Sequence, residues 1–447
     1  MFNRKILDDL AQWAARKDRK PLVLRGARQV GKTTAVELFA RQFDQFLHFD
    51  LEARQDREIF ERNLPFPELA QVMFLARNES RKAGRVLIFL DEIQASPGAV
   101  GSLRFFSEQA PDLHVVAAGS LLELMLARFG AGFPVGRVEY LFMYPLSFEE
   151  FLAALGMESA LEMYRTIPFP EHARHPLLSL FHRYAQVGGM PEAVRRYSES
   201  QDILSLKPVY QGLITSFMDD VGKYSRSSAM TQTLRFAIEA APLEAGKRIR
   251  FHGFGRSNYR SREMGEALRV LERAMILHLL YPTTGTGLPA QPDLRKSPRL
   301  QFLDTGLLNF AAGLQQALFM MHDLHGVYQG ILAEHLVAQE LIARDAQVSQ
   351  KPAFWVRESK ASTAEVDFVL PFRGFLIPVE VKAGSSGTLR SLHQFVDQAD
   401  HPWAVRLYSG PLRRDAARTQ RGKDYLLLSL PYFLAGQIDR YLRWMVG

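Results

Sequence analysis

The sequence predicts an α/β protein: a parallel sheet covered by helices, then a helical stretch, then two further units with strands of their own. Three observations carry this. Strand-like apolar runs alternate with helix-length amphipathic segments over the first 146 residues. Helical periodicity takes over from Ser147, through Phe148, Phe151, Leu152 and Leu155. Near the C-terminus, two runs rich in Val, Ile and Phe flank Arg373-Gly374. A chain of 447 residues is too long for one hydrophobic core. We divide it into 1–146, 147–228, 229–318 and 319–447.

Residues 1–20 read as an amphipathic helix (Ile6, Leu7, Leu10, Trp13) leading into a short buried strand, Leu22-Val23-Leu24. Gly26 through Thr33 then spells G-x-x-x-x-G-K-T, and Val36, Phe39 and Ala40 mark the face of the helix that follows. Strand before and helix after argue against an accidental glycine-rich turn. In such a loop the backbone N–H groups of Gly26, Ala27, Arg28, Gln29, Val30 and Gly31 curl around the β- and γ-phosphates of a nucleotide. The helix N-terminus points its positive dipole end at the same anion. Lys32 adds a full charge, the Thr33 hydroxyl can ligate Mg²⁺, and Thr34 closes the run.

A second strand is expected at Phe46–Leu51, and a helix through Leu69, Val72 and Leu75. Arg85–Glu92 is a buried strand ending in two acids, followed by a helix over about 99–109. His114–Ala118 ends at Gly119-Ser120, and Val138–Phe142 supplies a fifth strand. Ligands of such sheets sit at the carboxyl ends of the strands, where these polar residues fall. Asp91 would hold Mg²⁺ through water, and Glu92 would polarise the attacking water as a general base. Ser120 either orients that water or caps a helix.

The runs Arg25–Thr34, Leu90-Asp-Glu-Ile-Gln, Ala118-Gly-Ser, Gly136-Arg137 and Pro145-Leu-Ser-Phe-Glu-Glu-Phe resemble one group of prokaryotic ATPases. These are AAA+ related proteins of the archaeal-type ATPase group, near the signal-transducing STAND NTPases. Gly188-Gly-Met-Pro, Asp304-Thr-Gly-Leu, Glu365-Val-Asp-Phe and Glu380-Val-Lys extend the resemblance over nearly the whole chain. It implies an ASCE/AAA+ type P-loop NTPase core with a helical lid, using ATP and Mg²⁺. It implies that an arginine past the fourth strand senses the γ-phosphate, in its own chain or in a neighbour of a homo-oligomer. Arg137 matches that position, with Arg128 next. Pro191 falls in an element similar to the G-x-P lid motif that packs on the nucleotide base, and would otherwise mark a helix-breaking turn.

The chain carries 55 Lys+Arg against 48 Asp+Glu, a net charge of +7. The excess concentrates between Gly246 and Arg262, where Lys247, Arg248, Arg250, Arg256, Arg260 and Arg262 interleave with Phe251, His252, Phe254 and Tyr259. Helices followed by strand-like Ile276–Tyr281 and Arg299–Leu303 resemble a winged helix-turn-helix. A DNA-binding surface with salt-sensitive phosphate contacts is one reading, and a solvated or protein-docking face is the other. The absence of cysteine excludes disulfides, thiol catalysis and thiolate zinc sites. With no signal-like start and no run able to span a bilayer, a cytoplasmic protein without membrane contact is expected.

If Arg373-Gly374 forms a two-residue turn, Phe372 faces Phe375, Asp367 faces Glu380 and Glu365 faces Lys382, all four polar residues on one face. Opposed carboxylates require a cation between them, either Lys382 or a divalent metal. The pattern resembles that of the PD-(D/E)xK nuclease fold, which implies that Asp367 and Glu380 hold Mg²⁺, that Lys382 activates or positions water, and that a helical glutamate, matched here by Glu334, completes the site. The expected function is Mg²⁺-dependent ATP hydrolysis controlling a DNA-binding or DNA-cleaving C-terminal module. The rival is an ATP-gated signalling scaffold whose nuclease-like domain is inactive and docks a protein. An ATP-gated RNA adaptor is a third reading.

Overall fold

The computed structural model describes residues 2–82, 84–119, 136–225, 227–314, 327–347, 351–358, 364–384 and 388–447. Among these the chain forms two compact units. The first is built mainly from Met1–Tyr144, and the second mainly from Pro145–Glu272, Ile276–Arg344 and Gln350–Gly447.

In the first unit five parallel strands lie in the order β2-β3-β4-β1-β5. They are β1 (Leu22–Arg25), β2 (Gln45–Asp50), β3 (Val86–Asp91), β4 (His114–Ala118) and β5 (Glu139–Phe142). The central strands β3 and β4 are buried at every position, which is why they read as unbroken apolar runs rather than alternating ones. Helices cover the faces. The one at Pro97–Gln109 starts on Ser96, whose hydroxyl accepts the Ala99 N–H at 3.1 Å, and buries Val100, Leu103 and Phe106. Register decides where the chemistry falls. Leu24 pairs with Ala118 and Asp50 with Asp91, so the glycine loop after β1 and the acids ending β3 leave the same edge of the sheet.

The second unit opens with a helix at Phe148–Ala154, whose Ser147 and Glu150 make a reciprocal capping box. Further helices follow at Arg174–Val187 and Pro191–Ser200. Between them lies Gly188-Gly189, and the Gly189 N–H donates to the Asp304 carboxylate at 2.6 Å. A side chain on Gly189 would put its first carbon 2.2 Å from the Leu146 carbonyl oxygen, so the glycine is required by packing there.

Helices at Ser228–Glu244 and Ser261–Arg273 precede an antiparallel pair, β6 (Leu277–Leu280) with β8 (Arg299–Phe302). Between these two, β7 (Pro282–Thr283) leaves the pair and runs parallel to β9 (Ala353–Val356). That short strand ties the middle stretch into a seven-stranded mixed sheet, ordered β13-β14-β12-β11-β10-β9-β7. Its other members are β10 (Glu365–Phe372), β11 (Phe375–Val381), β12 (Trp403–Tyr408), β13 (Arg413–Arg418) and β14 (Asp424–Pro431).

The expected hairpin is present, with Phe372 opposite Phe375 and Phe368 opposite Val379. Arg373 and Gly374 take positive φ values of 47° and 83° at the turn. A bulge between Val366 and Val369 breaks the pairing of β10 with β9, and Asp367 Oδ2 accepts the Val381 N–H at 2.8 Å.

Candidate functional site

The loop from Gly26 to Thr33 is shaped for an anion. Gly31 sits at φ 95° immediately before the helix Lys32–Ala40, a conformation that favours glycine and turns the first helical N–H groups outward. Lys32 is buried, and its Nζ donates to the Gly26 and Ala27 carbonyls at 3.0 and 2.9 Å. Burial pushes its ammonium below its ordinary pKa. Thr33 Oγ1 donates to Asp91 Oδ2 at 2.7 Å. The motif residue and the acid 58 positions later therefore meet directly. Arg4, a residue the sequence reading passed over, is buried, and its guanidinium donates to Val30 O at 3.1 Å and Tyr144 O at 2.8 Å. It braces the loop from behind.

Asp91 and Glu92 are adjacent but differently placed. Burial raises the Asp91 carboxyl, yet neighbouring His48, the Thr33 hydroxyl and the Glu92 N–H outweigh it and hold Asp91 below the usual carboxylate range. Glu92 goes the other way, pushed up mainly by burial. Its backbone is left-handed at φ 48°, ψ 44°, a conformation costing on the order of 1 kcal/mol that aims the side chain away from the strand's line. Gln94 Nε2 donates to Glu92 Oε2. His48 stacks on Phe89, its Nε2 3.8 Å from Asp91 Oδ2. The sequence reading gave no role to His48, nor to Gln94, which it quoted only as the end of the Leu90-Asp-Glu-Ile-Gln run. The strand alternation of β2 carried the only hint for His48, a polar residue among apolar ones beside the acid strand.

These residues fit a nucleotide triphosphate with Mg²⁺. The loop offers N–H groups and Lys32 for phosphate oxygens, and Thr33 with Asp91 offers the oxygens a hard cation prefers. The cation would supply charge neutralisation on the phosphates. Glu92, its carboxyl raised mainly by burial, lies next to Asp91 at the end of the same strand.

Arg137 is not brought to this cluster. β5 runs parallel to β1 with Leu22 beside Glu139, so the residue just before β5 lies at the amino edge of the sheet, opposite the glycine loop. There Arg137 is half exposed and pairs with Glu108 at 3.2 Å. A γ-phosphate contact within its own chain is corrected by this geometry. Ser120 and Arg128 lie outside the described residues. Pro191 begins a helix of the second unit, behind the Gly189–Asp304 contact.

A second cluster occupies the C-terminal sheet. Arg299 on β8 donates to Glu334 Oε2 at 3.3 Å, to Asp367 Oδ1 at 3.4 Å and to Glu365 Oε1. Arg248 Nη1 reaches Glu365 Oε2 at 3.5 Å, and Lys382 Nζ donates to Glu380 Oε1 at 2.6 Å. The expected Glu365–Lys382 pairing is thereby replaced. Asp367 spends its oxygens on Val381 and Arg299, and among the described residues no three His, Asp or Glu side chains are arranged to hold a metal. Burial, then the charge of Asp367, pushes Glu334 and Glu380 well above the usual carboxyl range.

The basic stretch is exposed where it was expected to be: Lys247, Arg248, Arg250, His252, Arg256, Arg260 and Arg262 all face solvent.

Residues 18–152 match a family described as an AAA domain. The first unit's α/β fold, with its parallel sheet, matches a P-loop ATPase core. Residues 178–318 and 329–427 match two families described as domains of unknown function (DUF8612 and DUF4143). No curated protein matches the chain. Among solved structures, the Walker-type ATPase paby2304 of Pyrococcus abyssi is similar at 15% identity over 70% of this chain and 96% of that one, with a TM-score of 0.45. The ORC2 protein of Aeropyrum pernix, in ADPNP and ADP complexes, is similar at 10% identity, over 71% and 94%, with a TM-score of 0.31. The ORC1 protein of Aeropyrum pernix in complex with DNA is similar at 12% identity, over 72% and 95%, with a TM-score of 0.28. No helix among the described residues is long and apolar enough to cross a membrane.

Proposed function

We propose that the chain is a Mg²⁺-dependent ATPase whose nucleotide cycle controls engagement of DNA by its second unit. The observation that carries the first half is the 2.7 Å contact between Thr33 and Asp91, beside Lys32 and Glu92. It supports reading Lys32, Thr33, Asp91 and Glu92 as one phosphate-hydrolysis site at one end of one sheet. The second half is supported by the exposed arginines of residues 247–262, set among Phe251 and Tyr259, which suit phosphate contacts. In this reading residues 229–318 act as a winged helix and 319–447 as a PD-(D/E)xK-like module, consistent with a helix over Val327–Ala343 packed on an antiparallel hairpin continued by parallel β12.

A second reading, a scaffold with a silent nuclease-like module, is favoured by the arginine already bonded to Glu334, Glu365 and Asp367. The two are separated by measuring ATP turnover with and without duplex DNA, and DNA binding across a salt series. The first expects DNA to raise turnover, affinity to fall steeply with salt, and Lys32→Ala to abolish turnover. Under it, Asp367→Asn removes any Mg²⁺-dependent nicking and spares ATP hydrolysis. Turnover indifferent to DNA, with supercoiled DNA left intact, selects the scaffold.

A further inference from the structure

We propose that Arg299 is a built-in countercation: its guanidinium holds the place among Glu334, Glu365 and Asp367 that a divalent cation would take, and such an ion binds there only when β8 withdraws it.

The geometry is that of an occupied cation position. One guanidinium, on a side chain 12% exposed, serves three carboxylates and also donates to the Asp367 main-chain oxygen at 3.4 Å. Its face lies over the Phe354 ring, 4.9 Å from the centroid, so packing as well as charge holds it there. A guanidinium brings a single delocalised charge to a cluster that also includes Glu380. Lys382 serves Glu380 Oε1, but the other oxygen of this carboxylate, which is 6% exposed, has no hydrogen-bond partner. A hard divalent ion, with twice the charge and a preference for carboxylate oxygens, suits the same group of acids better.

The latch belongs to a different stretch from the acids. Glu334 is on the helix Val327–Ala343, and Glu365, Asp367 and Glu380 are on β10 and β11, whereas Arg299 begins β8. The β8 backbone is stitched to the start of the basic stretch. Gly246 N–H donates to Leu300 O at 2.8 Å, Leu300 N–H to Lys247 O at 3.1 Å, and Ile249 N–H to Pro298 O at 2.8 Å. A polyanion seated on Lys247–Arg262 would lie beside the strand that carries the latch and would offer its guanidinium a phosphate in place of the carboxylates. The inference requires neither ATP hydrolysis nor DNA cleavage, so it stands or falls separately from the function proposed above.

The test uses the full chain without nucleotide or DNA, and Mn²⁺ alone as probe. Bound Mn²⁺ is read from the loss of free-ion paramagnetic resonance signal, and thermal melting is followed in parallel. Arg299→Gln is expected to bind one Mn²⁺ at least about tenfold more tightly than wild type, with a melting temperature that climbs with Mn²⁺ concentration. Arg299→Gln combined with Asp367→Asn should lose that gain. Arg299→Lys, which keeps the charge but cannot bridge three acids, should fall between. The idea is overturned if Arg299→Gln binds no better than wild type, or if the gain survives in the double variant. It is equally overturned if Arg299→Gln fails to fold even in Mn²⁺ while Arg299→Lys shows no gain.

Discussion

At the residue scale, the pair Asp91-Glu92 shows how two neighbouring carboxyls acquire different properties from their contacts alone. Asp91 receives donors from Thr33 and a backbone N–H and stays ionised, whereas Glu92 is half-buried with the Gln94 amide as its hydrogen-bond donor. Glu92→Gln should leave ATP binding intact and cut turnover by roughly 100-fold or more, the scale of a lost general base. A base must be deprotonated to act. Since burial raises Glu92, turnover should fall on acidification at a pH above that of an ordinary glutamate, near 4.3. Gln94→Ala removes the donor that favours the charged form. The acid limb of the turnover profile should then move to still higher pH. An unmoved limb would exclude Glu92 as the titrating group. The spacing of motif residues made Lys32, Thr33, Asp91 and Glu92 legible in the sequence. Gln94, His48 and Arg4 were not, because their roles come from where the strand ends and loops lie, not from any pattern of their own.

At the scale of elements, the hairpin β10–β11 was readable because a two-residue turn and strand alternation fix which residues oppose one another, and Phe368 does face Val379. What could not be read was Arg299, which reaches the acids from another strand after a long excursion of the chain. The side of a sheet that a distant strand covers depends on tertiary packing, which no local period encodes. The helix Val327–Ala343 also carries His335, buried, with Nε2 accepting the Phe302 N–H at 3.0 Å. Burial lowers His335, and His278 on β6, to about 3. In the unfolded chain these rings titrate near 6.5, so below that pH the unfolded state binds more protons. Stability is then full above pH 6.5 and is lost as pH falls toward 3, at a rate on the order of 1 kcal/mol per pH unit for each ring. Chemical denaturation at several pH values should show that slope, and His335→Gln should flatten it.

At the scale of the whole molecule, the two units differ in how much their sequences disclosed. The first follows a simple alternation, and its sheet order puts motif and acids at one edge. The second mixes helices, a two-stranded pair and a seven-stranded sheet, and β7 joins stretches that the sequence separates at residue 318. Arg137 belongs to this scale as well. At the amino edge of the sheet it is removed from its own phosphate loop, so any service to a nucleotide is to that of another copy. Turnover per chain should therefore be the same for Arg137→Ala and wild type at high dilution. It should diverge only as concentration rises, if copies assemble edge to loop. A loss of turnover that is equally large at every concentration would contradict this placement.

The brace supplied by Arg4 has a practical side. The Arg4 side chain reaches Val30 inside the glycine loop, so a change at or beside Arg4 would be felt in the shape of that loop. Preparations differing only in their first few residues should be compared for nucleotide affinity before a weak binder is blamed on the motif itself.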